Sequence, residues 1–122
     1  MISWETAHYN TYVNRLYYAC FYAVSAVLLS SQWSAATHTG VRHLFSQHFI
    51  KTRIIQRDAA EVYFELFHYR QRSDYEDEFR MDPNIAENWL EQAQTFVMAM
   101  IQLADSSKIS SVEKNGAIQA GE

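Results

Sequence analysis

Arg70 and Asp74 form the residue pair whose types and spacing best suit a polar site. They are four positions apart, so on a helix their side chains meet on adjacent turns. Both extend an apolar stripe, where a charge must be paired or hydrated because an isolated buried charge is too costly. Two interpretations stay open. The pair is either a structural ion pair at a bundle end or part of a polar cleft, in which Arg70 would hold a phosphate by paired hydrogen bonds.

Other polar residues could face the same cleft. Asn14 and Arg15 interrupt an apolar segment, where a polar break either fixes the helix register or lines a cleft. A basic stretch could follow a phosphate backbone, and it comprises His38, Arg42, His43, His48, Lys51, Arg53 and Arg57. The candidate ligand-binding residues are therefore Asn14, Arg15, His38 and Arg42.

Two Glu-x-x-His pairs, Glu5–His8 and Glu65–His68, have the spacing found in di-iron carboxylate bundles. Such a site also needs carboxylates from other helices, and no acid occurs between Glu5 and Asp58. A solvated charged face is the preferred interpretation of Glu65–His68. The sequence contains no Gly-rich phosphate loop and no zinc-ligand spacing. We predict neither a metal nor a cofactor.

Charge is distributed unevenly along the chain. Residues 1–57 carry five Lys or Arg and one acid, whereas residues 58–122 carry five Lys or Arg and 13 acids. Such asymmetry either marks an anion-binding face or lets basic helices pack against acidic ones.

The composition indicates one all-α domain. The chain has 122 residues, of which 48% are hydrophobic, with only three Gly and one Pro. A single cysteine, Cys20, cannot form an internal disulfide, so a cytoplasmic protein is expected. The longest apolar stretch, residues 16–29, falls short of the ~20 residues needed to span a bilayer. No membrane association is predicted.

Apolar periodicity and capping residues predict an up-and-down helical bundle of four main helices. The expected spans are 3–31, 38–50, 57–76 and 83–104. The bundle would occupy residues 1–105, and residues 106–122 would form a disordered tail, because they show no apolar period.

The first predicted helix is apolar on almost every side. A helix of this kind is normally surrounded by partners, which is demanding in so small a chain. We therefore expect a homodimer that covers one of its faces.

Residues 12–29, YVNRLYYACFYAVSAVLL, resemble the signature helix of the HEPN domain (higher eukaryotes and prokaryotes nucleotide-binding). The similarity continues in 37–41 (THTGV), 44–45 (LF) and 48–49 (HF), and ends in 66–67 (LF) and 70–75 (RQRSDY). The ordered set resembles a small prokaryotic branch of the family over about residues 10–103.

The resemblance implies a helical bundle that commonly dimerises. Many HEPN proteins are RNases, often toxins, paired with a minimal nucleotidyltransferase as antitoxin. Their active site resembles an Arg followed four to six residues later by a His, doubled across the dimer. Arg70 matches the arginine, but Tyr75, Glu76 and Asp77 stand where the histidine is expected. The family also usually has a helix before the signature helix, so a truncated or misplaced start is expected.

The sequence thus predicts a toxin–antitoxin or defence module that binds RNA, a nucleotide or a partner protein. Arg70, Asp74 and Tyr75 are its candidate catalytic residues. One alternative is a metal-independent RNase that uses Arg70 at a dimer interface. Another is a partner-binding bundle without a ligand.

Overall fold

A computed structural model describes the backbone of residues 4–75 and 83–121, and the side chains of residues 11–71, 84 and 87–106. The described backbone forms helices and no strands, which confirms the all-α prediction. The elements are α1 (Trp4–Ser30), α2 (His38–Phe45), a π-helical turn (Ser46–Ile50), α3 (Arg57–Tyr75) and α4 (Pro83–Gly121).

Helix α1 is the central element, since it packs against α2, α3 and α4. Its apolar residues are buried on several sides, as the sequence predicts for a surrounded helix. The buried set is Val13, Leu16, Tyr17, Cys20, Ala23, Val24, Val27 and Leu28. This places the middle of α1, and with it Tyr17, inside the bundle.

The start of α2 is fixed by a side-chain cap. Thr37 is extended, and its Oγ1 accepts a hydrogen bond from the Gly40 amide at 2.9 Å. A Cβ at Gly40 would lie 3.0 Å from both the Ala35 Cβ and the Thr37 Oγ1, so the close cap favours glycine. The cap makes His38 the first residue of α2 and sets its approach to α1.

The predicted helix over 38–50 is one continuous segment, but its second part is a π-helical turn. Its buried side chains are Val41, Phe45 and Phe49. Apolar residues at helical spacing therefore face the core in both the α-helical and the π-helical part. The segment ends before the turn in which Arg53 has a φ of 64°.

Helix α3 begins and ends close to the predicted positions, with Asp58 in its first turn. Apolar periodicity predicts a core stripe on this helix that comprises Ala59, Val62, Tyr63, Leu66, Tyr69 and Arg70. Most of this stripe is buried, namely Val62, Tyr63, Leu66 and Tyr69. Ala59 was wrongly included, because it is exposed and Ala60 is buried instead. Arg70 is half-buried at the end of the stripe.

Helix α4 buries Trp89, Ala93, Phe96 and Met100. The expected end near residue 104 was too early, since the helical backbone continues to Gly121. The dipeptide Asp82-Pro83 predicts Asp82 as the N-cap of this helix. Asp82 and the side chains from residue 107 onward lie outside the described residues. The disordered tail over 106–122 therefore stays a prediction.

Helix α1 also leaves large apolar side chains in solvent. Tyr22 is 65% exposed and Leu29 is 63% exposed. No described helix combines the length and hydropathy required to cross a membrane.

Candidate functional site

Two adjacent tyrosines of α1 form the base of the candidate site. Tyr17 is fully buried and Tyr18 is half-buried. Their rings meet edge to face at 5.5 Å, so the two hydroxyl groups reach different partners. This places two phenols where α1 is approached by α2 and α3.

His38 approaches this pair from the start of α2. Its ring stacks on Phe21 with centroids 4.1 Å apart, and its Nδ1 lies 2.8 Å from the Tyr17 hydroxyl. Stacking fixes the plane of the imidazole and the hydrogen bond fixes its rotation. The histidine is thus held in one orientation.

Arg70 approaches from α3. Its Nη2 donates a hydrogen bond to the Tyr18 hydroxyl at 3.0 Å. Its guanidinium carbon lies 5.2 Å from the ring centroid of Tyr17 and 5.2 Å from that of Tyr18, within cation–π range. Tyr17, Tyr18, His38 and Arg70 are called the Tyr-His-Arg cluster below.

Burial and charge decide the protonation states in the Tyr-His-Arg cluster. Burial lowers the pKa of His38, and the positive charge of Arg70 lowers it further. Burial raises the pKa of Tyr17 to about 12, although Arg70 opposes that rise. At neutral pH the cluster therefore holds an uncharged imidazole, an uncharged phenol and a permanent cation.

This combination suits chemistry on a phosphate ester. A guanidinium binds phosphate oxygens in a fixed geometry. A neutral imidazole accepts a proton near neutral pH, and here a tyrosine orients it. The same groups could equally bind a phosphate without cleaving it.

The candidate residues named from sequence are distributed unevenly over the structure. Arg70 and His38 lie together in the Tyr-His-Arg cluster, although the sequence predicted His38 as a ligand-binding residue and not as a catalytic one. Asn14 and Arg15 are exposed on α1. Asp74 and Tyr75 belong to the backbone of α3, and their side chains lie outside the described residues.

Arg42 lies beside the Tyr-His-Arg cluster. Its guanidinium carbon is 4.4 Å from the centroid of the Phe67 ring, and its charge lowers the pKa of Tyr17 against the larger effect of burial. Sequence reasoning missed Tyr17, Tyr18 and Phe21, because aromatic residues in an apolar helix are usually packing residues. A pair of adjacent tyrosines in the signature helix was the available clue.

Glu65 and His68 do not form a metal site with each other. The Glu65 carboxylate accepts a hydrogen bond from Trp89 Nε1 at 2.6 Å. His68 faces a different groove, between α2 and α3. Among the described side chains, no three His, Cys, Asp or Glu residues come close enough to hold a metal ion. Glu5 and His8 fall outside those side chains.

Comparison with known proteins places the chain in a family. A model of the HEPN domain matches residues 1–103. A UPF0332 protein of Thermotoga maritima is 33% identical over 96 residues, which cover 79% of this chain and 73% of that protein.

Two proteins of Methanocaldococcus jannaschii, each named "putative toxin", are also similar. One is 32% identical over 94 residues, which cover 77% of this chain and 64% of the relative. The other is 27% identical over 96 residues, which cover 79% of this chain and 71% of that relative. No solved structure matches significantly. The match to the HEPN model, together with the similarity to the Thermotoga maritima protein, shows that the chain belongs to the HEPN domain family.

Proposed function

We propose that the chain is a toxin-type, metal-independent ribonuclease in which the Tyr-His-Arg cluster is the active site. The observation that carries the proposal is the oriented His38, hydrogen-bonded to Tyr17 beside Arg70. The names of two relatives as toxins agree with this class.

His38 supplies the histidine that the family's spacing would place after Arg70. The sequence has Tyr75, Glu76 and Asp77 there instead of a histidine. In three dimensions His38, at the start of α2, and Arg70, on α3, bind the hydroxyls of two adjacent tyrosines. A shared neighbour, the Tyr17–Tyr18 pair, holds both groups.

In the proposed reaction Arg70 binds the non-bridging oxygens of the scissile phosphate. His38 Nδ1 donates its hydrogen to the Tyr17 oxygen, so that Nε2 carries the lone pair and takes the proton of the RNA 2′-hydroxyl. The 2′-oxygen then bonds to phosphorus and the bond from phosphorus to the 5′-oxygen breaks. The 5′-oxygen takes a proton from water, and the protonated His38 returns its proton to solvent. The products are a 2′,3′-cyclic phosphate and a 5′-hydroxyl.

Two partner proposals accompany this function. A second copy of the chain would cover the exposed apolar side of α1, which contains Tyr22 and Leu29. A minimal nucleotidyltransferase would act as the antitoxin, on the grounds of family resemblance alone. A module that binds RNA, a nucleotide or a partner without cleavage is the alternative function.

The test is cleavage of a labelled mixed-sequence RNA in the presence of EDTA. Wild-type protein is expected to cut, with cyclic-phosphate ends. His38→Gln is expected to lose cleavage by about 100-fold or more, the usual contribution of general acid–base catalysis. Arg70→Ala is expected to lose about as much, because it removes the charge that stabilises the phosphate in the transition state. His48→Gln is the matched control, because His48 stacks on Trp33 at 3.8 Å and is a histidine outside the cluster.

Circular dichroism checks that every variant keeps its helical content. Cleavage that survives both Arg70→Ala and His38→Gln would show that this cluster is not the active site. Absence of cleavage by wild-type protein across a range of RNAs would leave the binding module as the function.

A further inference from the structure

A basic groove lies between α2, the π-helical turn and α3, beside the Tyr-His-Arg cluster. It has a volume of about 350 Å³. Its lining residues are Thr39, Arg42, His43, Ser46, Ile50, Lys51, Arg57, Phe64 and His68. Three of these lining residues are Arg or Lys, two are His and none is acidic. The groove therefore favours an anion.

The polar groups of the groove suit phosphate in particular. Arg42 offers a planar fork of donors, and Lys51 and Arg57 add charge at the exposed end. The hydroxyls of Thr39 and Ser46 can donate further hydrogen bonds. Phe64 is half-buried in the wall, which gives the groove an aromatic surface on which a base could stack.

Arg42 connects the groove with the Tyr-His-Arg cluster. Arg42 lines the groove and also stacks on Phe67, whose ring lies 6.2 Å from that of Tyr17. Arg42 lies four positions after His38, one helical turn along α2, so the two side chains share a face of that helix. Successive phosphates of one strand could therefore contact Arg70 in the cluster and Arg42 in the groove.

Another side of α3, next to the basic groove, has the opposite charge. A second groove, between α3 and α4, has a volume of about 430 Å³ and is lined by Asp58, Glu61, Glu65 and Glu91 without a basic residue. A polyanion would be repelled there. The uneven charge of the sequence thus becomes two oppositely charged grooves on two sides of α3, of which only the basic one favours a polyanion.

We propose that the basic groove binds the backbone phosphates of the RNA strand next to the bond that is cleaved. This inference deepens the proposed function and rests on it for the position of the scissile bond. Only some residues of the basic stretch identified in the sequence line the groove. Arg42, His43, Lys51 and Arg57 contact the strand, His68 joins them from α3, and His48 and Arg53 take no part.

The experiment measures binding of a fluorescent 2′-O-methyl RNA 12-mer by anisotropy over a range of salt concentrations. This RNA lacks the 2′-hydroxyl and cannot be cut, so binding is measured independently of cleavage. The groove variants are Lys51→Gln and Arg57→Gln, both at exposed positions. The matched control is Arg53→Asn. It also removes one exposed positive charge close in sequence, and asparagine tolerates the φ of 64° there.

Each groove variant is expected to weaken binding by about twofold to fivefold, as for one exposed ion pair. The slope of log K against log salt should also fall by about 0.7, the value for one phosphate contact on a single strand. Arg53→Asn should change neither quantity.

Equal binding by the groove variants, Arg53→Asn and the wild type would overturn the inference and leave the proposed ribonuclease intact. A groove variant that loses affinity for ATP but not for the 12-mer would also overturn it, because the groove would then be a site for free nucleotides. Conversely, retained cleavage in His38→Gln and Arg70→Ala would remove the proposed function. Weakened 12-mer binding in the groove variants would then still establish the strand-binding groove.

Discussion

The hydroxyl of Tyr17 lies 2.8 Å from Nδ1 of His38, although the two residues are 21 positions apart in the chain. Tyr17 is fully buried and its pKa is raised to about 12, so the phenol stays protonated through the neutral range. The bond joins the most buried part of α1 to the first residue of α2. It makes the orientation of a titratable ring depend on the packing of the core.

The pH dependence of cleavage should carry the signature of His38. Burial and then Arg70 lower the pKa of this histidine, so the neutral base persists below its ordinary value of about 6.5. We expect kcat/KM to stay on its plateau at pH 6.5 and to fall only at lower pH. The residual cleavage of His38→Gln should lack this acid limb. An acid limb centred above 6.5 would contradict the assignment.

The same shift predicts how the stability depends on pH. His38 takes up its proton at a higher pH in the unfolded chain than in the folded chain. Its contribution to the free energy of unfolding therefore increases as pH rises. The contribution is fully present above about pH 6.5 and decreases as pH falls toward the lowered pKa of the folded state. In urea unfolding, the free energy of unfolding should decrease less between pH 7.5 and pH 5.5 for His38→Gln than for the wild type. An equal loss would show that other groups dominate.

Tyr17→Phe should separate positioning from binding. The substitution keeps the ring and removes only the hydroxyl that holds His38, so the imidazole loses its fixed rotation. We expect kcat to fall by about fivefold to tenfold, the equivalent of one hydrogen bond of ~1 kcal/mol, with KM nearly unchanged. Tyr18→Phe is the comparison, because its hydroxyl contacts Arg70 and its loss should raise KM instead. A fall in kcat equal for both variants would argue against distinct roles.

Much of the scaffold followed from the sequence. The central place of α1 and the stripe Val62–Leu66 on α3 came from apolar spacing, which is a local property of the chain. The sequence allowed Thr37 or Thr39 as the cap of α2, and the structure has Thr37. The site did not follow in the same way. Arg70 was identified because it ends an apolar stripe, but its meeting with His38 depends on how α2 turns back onto α1 after residue 30. Such distant contacts leave no periodic pattern in one sequence.

The π-helical turn and the two grooves were also beyond sequence reasoning. A π-helical turn adds a residue to the helical register without changing the residue types, so 38–50 was predicted as an uninterrupted helix. The charge asymmetry was recognised, but its separation onto two sides of α3 depends on the rotation of that helix in the bundle.

Tyr63 offers a test of core energetics. Its ring is fully buried and stacks on Tyr17 at 6.3 Å, and its hydroxyl has no hydrogen-bond partner among the described residues. A buried hydroxyl without a partner costs about 1–3 kcal/mol, so Tyr63→Phe should raise the free energy of unfolding by about 1 kcal/mol. Tyr17→Phe is the matched control and should lower it, because it breaks a formed bond. Destabilisation of Tyr63→Phe in urea unfolding would mean that the hydroxyl is satisfied in solution.

The exposed side of α1 predicts self-association. Tyr22 and Leu29 are seven positions apart, two helical turns, and lie on the same side of the helix. Tyr22 also stacks on Tyr18 at 5.9 Å, so a second copy bound here would approach the Tyr-His-Arg cluster. Light scattering should show a dimer for wild type and a monomer for Leu29→Lys. Ile54→Lys is the control, since Ile54 is 59% exposed but lies outside α1. If the dimer completes the active site, Leu29→Lys should lose cleavage in parallel with dimerisation, whereas a monomeric wild type with full activity would refute the predicted dimer.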